Sequence, residues 1–397
     1  MFTYKSVLTA LCFSFFLYSD YFGIKVEFIN TLFAIMGIVA LFYLKKKELF
    51  ATGFLISVLW FWWVGYSFVY YDLSYLIPLA ITGISLVYGV LFYFIGFFNT
   101  IVYKILYIIL LSFINPFGFN WFKIELPFIN SYLGTSKIEY FIIVASIGLF
   151  IQYRAQYKKQ SIVALCVVFV SLYIYNISNT FSIEKPNLKI YEYQTNIDQE
   201  KKWKKEYQQN IVYDNFSAIN NAIKNSYDLI VLPETAFPLV LNKTASVNEE
   251  LLKLSYHISI VTGSLYKKDG LYYNSTYFYE NGKRKVAHKV VLVPFGEAVP
   301  LPEKIRNLIN DLFYDGAKDY ETAKEPTTFT IKGIKFRNAI CYEITTDDIY
   351  QNLDTSYIIA TSNNAWFSPS IQTNLQNLLM KYYQNKYKVY YINVTNH

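Results

Sequence analysis

The sequence predicts a domain of several apolar transmembrane helices followed by an exported α/β domain. The chain is 54% hydrophobic and 16% charged, whereas about 25% of residues are charged in ordinary soluble proteins. The charges are also unevenly spread, because residues 1–180 hold 17 charged side chains and residues 181–397 hold 48. The first part is therefore too apolar for a water-soluble domain, and the second part is typical of one.

Seven apolar runs in residues 1–180 approach or reach the length that crosses a bilayer, which is about 17–25 residues. They cover residues 6–22, 28–44, 49–71, 75–98, 101–115, 138–153 and 161–178. The first run could instead be a signal peptide, but no small-residue cleavage site follows it, so we interpret it as a retained helix. The segment 115–137 contains two prolines and two glycines, and we expect it to be non-helical.

Basic residues predict the orientation of these helices, because lysine and arginine concentrate in short cytoplasmic loops. One side of the predicted helices carries Lys5, Lys45, Lys46, Lys47, Arg154, Lys158 and Lys159, and the other carries Lys25, Lys123 and Lys137. An odd number of crossings then delivers residues 181–397 to the outside. In a bacterium this would be a multi-pass protein of the inner membrane with a periplasmic second domain.

Residues 181–397 alternate between strand-like and helix-like segments, which is typical of an α/β domain. Strands are predicted at 188–195, 228–233, 258–266, 272–280, 284–293, 327–341, 356–361 and 389–395, and helices at 199–224, 247–257, 303–313 and 371–386. Asn281-Gly282 lies between two of these strands and indicates a hairpin. The only dense basic run, residues 201–205, alternates with glutamates and indicates a solvated helix face, so we expect no nucleic-acid partner.

Three predicted strands carry side chains suited to acyl transfer at or near their ends, namely Glu234, Lys289 and Cys341. In open α/β sheets, sites gather at the carboxyl ends of strands. Each residue also has an ordinary interpretation, as a turn carboxylate, a surface lysine and a buried apolar filler. Cys341 is the only cysteine in residues 181–397, which excludes a disulfide within this domain and argues against a zinc cluster.

These residues belong to an ordered set of motifs. The set comprises residues 61–70 (FWWVGYSFVY), 233–236 (PETA), 273–275 (YNS), 289, 293–300 (VPFGEAVP), 341–343 (CYE) and 362–367 (SNNAWF). In this order, and behind a helical anchor, it closely resembles the apolipoprotein N-acyltransferase family, the membrane-anchored branch of the nitrilase superfamily. The resemblance implies an αββα sandwich of the nitrilase type in residues 181–397 and a Glu–Lys–Cys triad, with neither cofactor nor metal.

The resemblance also implies roles for individual residues. The candidates are Glu234, Lys289 and Cys341 for catalysis, Glu297, Tyr342, Glu343 and Asn274 in supporting positions, and Trp366 in the substrate pocket. Glu234 would take the thiol proton of Cys341, and Lys289 would face the developing oxyanion. Glu297 would orient the Lys289 ammonium, although it could instead cap the helix predicted near residue 303. Trp366 could equally belong to the core, and we interpret the histidines at 257 and 288 as structural.

By the same resemblance, a phospholipid, expected to be phosphatidylethanolamine, donates an acyl chain to Cys341. The α-amine of a diacylglyceryl-modified N-terminal cysteine on an apolipoprotein then accepts this chain. A membrane-tethered amidase of the nitrilase type, with water as the acceptor, is the nearest alternative. A scaffold or transporter is a second alternative, but charged residues within the apolar runs, which a transporter would need, are nearly absent.

The sequence departs from the family in two places. The family continues past the last predicted strand into further sheet and a final return helix, whereas this sequence ends at Asn396-His397. We therefore interpret the catalytic domain as truncated at its C-terminus. The loop 116–137 is a poor match to the tryptophan-rich loop of the family, so no lipid-entry residue is assigned there.

Overall fold

The computed structural model describes residues 2–179, 182–294, 296–298, 300, 302–304, 306–307 and 319–397. The chain forms two compact units. The first comprises Met1–Phe181 with Ser370–Tyr382, and the second comprises Ser182–Pro369 with Tyr383–His397. A short stretch from the predicted α/β half of the sequence therefore packs as part of the first unit.

Apolar helices build the first unit. Within its described residues they are α1 (Tyr4–Tyr21), α2 (Glu27–Tyr43), α3 (Lys46–Phe61), α4 (Ile77–Ile95), α5 (Ile101–Leu110), α6 (Lys137–Tyr153) and α7 (Lys158–Ser178). Each of the seven predicted runs overlaps one of them. In the part of the chain that the structure describes, four segments are long and apolar enough to cross a membrane, namely Lys46–Tyr70, Ser74–Ile95, Ile101–Gly118 and Lys158–Ser178. The prediction of a multi-helix membrane domain is confirmed.

The third predicted run changes type part-way along its length. The helix α3 ends at Phe61, and Trp62–Tyr71 continue as a 3₁₀-helix. Eight of these ten residues are aromatic or β-branched, and a ninth is Gly65. Such residues form α-helices poorly, which explains why the α-helix does not extend through residue 71.

The segment 115–137 is non-helical as predicted, apart from isolated single turns of 3₁₀-helix. Much of it is nevertheless buried, including Glu125, which forms an ion pair of 2.5 Å with Lys137. The Tyr382 hydroxyl donates to the same carboxylate at 2.9 Å. These contacts join the loop to Ser370–Tyr382 within the first unit.

Two sheets form the centre of the second unit. Their strands are β1 (Ile190–Glu192), β2 (Leu229–Val231), β3 (Phe237–Val240), β4 (Ser259–Lys268), β5 (Leu271–Glu280), β6 (Lys283–His288), β7 (Thr328–Ile331), β8 (Ile334–Ile340), β9 (Tyr357–Asn363) and β10 (Tyr390–Asn396). The first sheet has the order β1-β2-β4-β5-β6, with β3 beside β4, and the second has the order β10-β9-β8-β7. Strands β1, β2 and β4 are mutually parallel, as are β8, β9 and β10.

The two sheets pack on each other, and helices cover the other face of the first sheet. Among the described residues, the helices after α7 include α8 (Gln199–Lys202), α9 (Lys205–Lys224), α10 (Ala245–Leu254) and α11 (Gln372–Tyr387). Successive side chains of a strand point to opposite faces, so β2 contributes to two cores. Leu229 and Val231 pack between the sheets, whereas Ile230 packs with side chains of α9 and α10. The predicted α/β architecture is confirmed.

The strand predictions differ from the structure in three places. The strand predicted at 284–293 ends at His288, as β6. The strand predicted at 327–341 is a hairpin of β7 and β8, because Lys332 and Gly333 turn the chain with φ values of 45° and 82°. The strand β3 was not indicated by the sequence, since its four residues include a proline that resembles a turn signal.

Two helix predictions also need comment. The helix predicted at 199–224 is interrupted at Trp203, and an extended Lys204 with ψ of 128° separates α8 from α9. Of the helix predicted at 303–313, residues 303–304 and 306–307 are helical, and the others lie outside the described residues.

Candidate active site

Three strand ends of the second unit carry the predicted triad. Glu234 lies three residues beyond the end of β2, Lys289 directly follows β6, and Cys341 directly follows β8. Glu234 and Lys289 are buried, with 7% and 0% of their surface exposed, whereas Cys341 keeps part of its surface accessible. The charges of Glu234 and Lys289 both act on the Cys341 thiol. The structure therefore brings the three residues into one electrostatically linked cluster.

Asn274 and Glu297 connect Glu234 to Lys289. The Asn274 side-chain amide donates to Glu234 Oε1 at 2.7 Å and to Glu297 Oε1 at 3.0 Å. The other oxygen of Glu297 lies 2.6 Å from Lys289 Nζ and also accepts from the Val293 backbone N–H at 3.0 Å. The predicted positions of Asn274 and Glu297 inside the site thus agree with a continuous chain of contacts between base and ammonium.

Glu343 ties the segment after Lys289 to the turn that carries Cys341. Its carboxylate accepts from the backbone N–H groups of Val290 at 2.8 Å, Val291 at 3.2 Å and Ile340 at 2.8 Å. Burial raises the pKa of Glu343 to about 7, although Lys289 and the backbone N–H donors act in the opposite direction. Glu343 therefore holds together the two segments that bear the lysine and the cysteine.

The backbone at Cys341 is held in an unusual conformation. Its φ is +53°, in the left-handed region that costs a residue with a side chain about 1–2 kcal/mol. The strand β8 ends one residue earlier, and Cys341–Thr345 form a 3₁₀ turn. The Asn363 backbone N–H donates a hydrogen bond to the Cys341 sulfur. Strain of this kind concentrates at functional sites, and here it presents the thiol at the end of a strand.

The environment sets the protonation states of the three groups. Burial raises the pKa of the Cys341 thiol, and the Glu234 carboxylate raises it further, so the resting sulfur is a neutral thiol. Burial also raises the pKa of Glu234, against the opposing effect of Lys289. Burial lowers the pKa of Lys289, but Glu297 and Glu234 more than offset it, and the net shift is upward. Lys289 is therefore charged, and a base is needed to ionise Cys341.

Lys202 is a member of the site that the sequence did not predict. The basic run 201–205 was interpreted as a solvated helix face, and this is wrong for Lys202, which is only 1% exposed. Its Nζ donates to the Glu234 carbonyl at 3.1 Å. Burial lowers the pKa of Lys202 to about 8, against the effects of Glu234 and Cys341. Its neighbour Lys201 is exposed, as expected, and pairs with Asp198 at 2.6 Å.

The remaining predicted residues lie close to these strand ends in the chain. Tyr342 is buried in the turn directly after Cys341. Trp366 is half-buried in the 3₁₀ turn Asn364–Phe367, which follows β9. His288 lies against Tyr273, with ring centroids 4.5 Å apart, and its Nδ1 is 2.7 Å from the Ser275 hydroxyl. These packing contacts agree with a structural role for His288. In the described part of the chain, no cluster of three or more His, Cys, Asp or Glu residues could hold a metal ion.

Two family descriptions match the chain in sequence order. Residues 1–171 match the apolipoprotein N-acyltransferase integral membrane domain, and residues 193–397 match carbon-nitrogen hydrolase. The chain is 39% identical to apolipoprotein N-acyltransferase of Wolinella succinogenes over 98% of its own length and 92% of that protein. It is 34% identical to the same enzyme of Helicobacter hepaticus over 92% of its own length and 91% of that protein. The chain belongs to the apolipoprotein N-acyltransferase family.

As a member of the apolipoprotein N-acyltransferase family, the protein is a membrane-embedded acyltransferase of the nitrilase superfamily. The amidase alternative is not favoured, because the matched relatives share the membrane domain and carry the transferase name. Among solved structures, a CN-hydrolase superfamily protein from Xanthomonas campestris matches 53% of this chain and 77% of its own, with 16% identity and a TM-score of 0.40. This likeness is too low to carry an argument about the site.

Gly263 on β4 allows the turn at Glu234 to approach the sheet closely. A Cβ atom at this position would lie 2.4 Å from the Thr235 nitrogen and 2.7 Å from the Glu234 Cα. These are backbone atoms that cannot move aside as a flexible side chain could. We expect Gly263→Ala to destabilise the protein by about 1–3 kcal/mol, as overpacking does, and to lower its melting temperature in detergent.

Gly83→Ala in α4 is the matched control, because a Cβ there meets no atom within 4 Å. We expect the melting temperature of this variant to equal or exceed that of the wild type, since alanine favours an α-helix more than glycine does. Equal melting temperatures for both variants would contradict the close approach at Glu234.

Proposed function

We propose that the protein transfers an acyl chain from a phospholipid, through a thioester on Cys341, to the α-amine of the diacylglyceryl-cysteine at the N-terminus of apolipoproteins. The observation that carries the proposal is the buried chain Glu234–Asn274–Glu297–Lys289 beside a partly accessible thiol. It supplies a base, a fixed positive charge and a nucleophile, which acyl transfer through a covalent intermediate requires.

In the first half-reaction, Glu234 takes the proton from the Cys341 sulfur as the thiolate attacks the ester carbonyl carbon. The carbonyl oxygen becomes an oxyanion facing the Lys289 ammonium, with the Tyr342 backbone N–H as a second donor. Within the described residues, Glu297 is the ion-pair partner of Lys289 Nζ, and an ammonium with three N–H groups keeps donors for the substrate. Collapse of the intermediate breaks the ester C–O bond, and the departing lysophospholipid oxygen takes the proton from Glu234.

In the second half-reaction, the α-amine of the acceptor attacks the thioester carbon. Glu234 accepts the proton that the amine loses, the C–S bond breaks, and the amide leaves. The Cys341 thiolate then recovers its proton from Glu234. One base therefore serves both steps, and its environment suits that role, because a carboxyl whose pKa is raised by burial both accepts and returns a proton readily.

The membrane unit fits substrates of this kind. Each CH₂ group of a lipid chain exposed to water costs about 0.8 kcal/mol, and an enzyme anchored by apolar helices can take its substrates from the bilayer. The basic residues of the first unit favour a multi-pass arrangement in the inner membrane with the catalytic unit in the periplasm. We propose phosphatidylethanolamine as the donor, with transfer of its sn-1 acyl chain.

The first test concerns the thioester. After incubation of the detergent-solubilised protein with phosphatidylethanolamine, we expect intact mass spectrometry to show an increase of one fatty acyl group. Cys341→Ala should show no increase, because the nucleophile is absent. Cys166→Ala is the control, since that cysteine is exposed on α7, and it should be acylated as the wild type is. An acylated Cys341→Ala protein would refute the assignment.

The second test separates transfer from hydrolysis. We expect the acyl-enzyme to persist for many minutes in buffer and to lose its acyl group promptly when a synthetic diacylglyceryl-cysteinyl peptide is added, with the acyl chain recovered as an amide on that peptide. The same peptide with an acetylated α-amine should leave the acyl-enzyme intact. Rapid loss of the acyl group to water, with free fatty acid as the product, would indicate an amidase-type hydrolase instead.

A further inference from the structure

Lys202 is a second buried cation beside the proposed triad. Its side chain donates to the Glu234 carbonyl at 3.1 Å, and within the described residues no carboxylate lies within ion-pair distance of its Nζ. A buried ammonium that lacks a paired carboxylate is costly. A neutral donor could make the same hydrogen bond at a lower cost in folding free energy, so a purely structural role does not explain a lysine at this position.

The short helix α8 contacts both sides of the site. Gln199 and Lys202 are three residues apart and share one face of the helix. Lys202 holds the carbonyl of Glu234, whereas Gln199 Oε1 accepts from the Asn363 side-chain amide at 2.9 Å. The backbone N–H of Asn363 donates to the Cys341 sulfur. One helical turn thus links the residue that carries the base to the residue that hydrogen-bonds the nucleophile.

A buried chain of amides fixes α8 in this position. The Asn396 side-chain amide donates to Asn363 Oδ1 at 2.8 Å, and Asn396 Oδ1 accepts from the Thr195 hydroxyl at 2.7 Å and the Ile197 backbone N–H at 2.8 Å. Thr195 and Ile197 lie in the segment that leads into α8. These hydrogen bonds fix α8 and therefore hold the Lys202 ammonium beside the Glu234 carbonyl.

The charge of Lys202 acts on both partners of the proton transfer. It favours the ionised forms of Glu234 and Cys341, and its own pKa of about 8 leaves it mostly protonated at neutral pH. Glu234 and Cys341 share one negative charge during the transfer, first on the carboxylate and then on the sulfur. An ammonium that faces both groups stabilises these two states relative to the state in which both are protonated and no nucleophile can form.

We propose that Lys202 is a positioning residue for acyl transfer, which fixes the main chain at Glu234 and keeps one negative charge on the Glu234–Cys341 pair. This inference rests on the proposed roles of these two residues as base and nucleophile. It distinguishes Lys202 from the four charged residues nearest to it in sequence, which are all exposed, namely Glu200, Lys201, Lys204 and Lys205.

The test measures the reactivity of Cys341 with iodoacetamide as a function of pH, in the full-length protein with Cys12→Ser and Cys166→Ser, so that one cysteine reacts. We expect Lys202→Met to move the acid limb of the profile to higher pH by about one unit. At pH values below the midpoint, the alkylation rate should then be about tenfold lower than that of the parent protein. Lys202→Arg should restore most of the rate because it keeps the charge. Lys201→Met should match the parent protein, since Lys201 is exposed.

In the described part of the chain, the other ionisable groups that act on Glu234 and Cys341 are Lys289 and Glu297, and Glu343 acts on Lys289. They are unchanged in every variant, so a shift reports on Lys202. A profile of Lys202→Met that superimposes on that of Lys201→Met would overturn the inference. If Lys202→Met does not fold, Lys202→Gln replaces it, because glutamine can keep a hydrogen bond to the Glu234 carbonyl while removing the charge.

Alkylation requires no lipid, so the two proposals fail separately. Absence of a phospholipid-derived acyl-enzyme in the wild type would refute the proposed function and leave the alkylation profile as a valid test of Lys202. A wild-type acyl-enzyme together with an unshifted Lys202→Met profile would refute only the role of Lys202.

Discussion

The candidate site depends on burying charged groups while giving each of them a partner. Glu234, Lys289 and Glu343 lie in the interior of the catalytic unit, where an unpaired ion costs several kcal/mol even after the protein relaxes. Asn274 and Glu297 satisfy the first two, and three backbone N–H groups satisfy Glu343. Removal of any one partner would leave another charge exposed to the apolar interior. The residues therefore form one interdependent unit, and their contributions to catalysis should not be additive.

The sheet topology explains how residues so distant in sequence meet. Parallel strands place Glu234 after β2 and Cys341 after β8, each at a carboxyl end, and the two sheets pack through a shared core. Lys289 directly follows β6, and its backbone N–H donates a hydrogen bond to the Asn274 carbonyl, which holds Lys289 beside β5. Close packing at Gly263 and the left-handed backbone at Cys341 complete the arrangement. The left-handed backbone at Cys341 costs stability, which is usual at functional sites.

The sequence was sufficient to predict the multi-helix membrane domain and most strands, because these depend on local periodicity. Its motifs also pointed to Glu234, Lys289 and Cys341, which the structure places in one electrostatically linked cluster. Lys202 was missed for a physical reason. Its immediate neighbours are exposed, and its inward direction is set by the Glu234 carbonyl, a tertiary contact that leaves no trace in the charge pattern. The packing of Ser370–Tyr382 with the first unit depends on contacts such as that of Tyr382 with Glu125, which are equally non-local. The end of α3 before the 3₁₀-helix could have been predicted from helix propensities alone, since aromatic and β-branched residues dominate the 3₁₀ segment.

We propose that Cys341 becomes a nucleophile only when Glu234 takes its proton. The most direct measurement is the single-turnover rate of acyl-enzyme formation by Glu234→Gln, followed by intact mass after mixing with phosphatidylethanolamine. Glutamine preserves the volume and can still accept the hydrogen bond from Asn274, but it cannot accept the thiol proton. We expect a rate at least about 100-fold below that of the wild type, within the range that general-base catalysis contributes. Formation of the acyl-enzyme at the wild-type rate would contradict it.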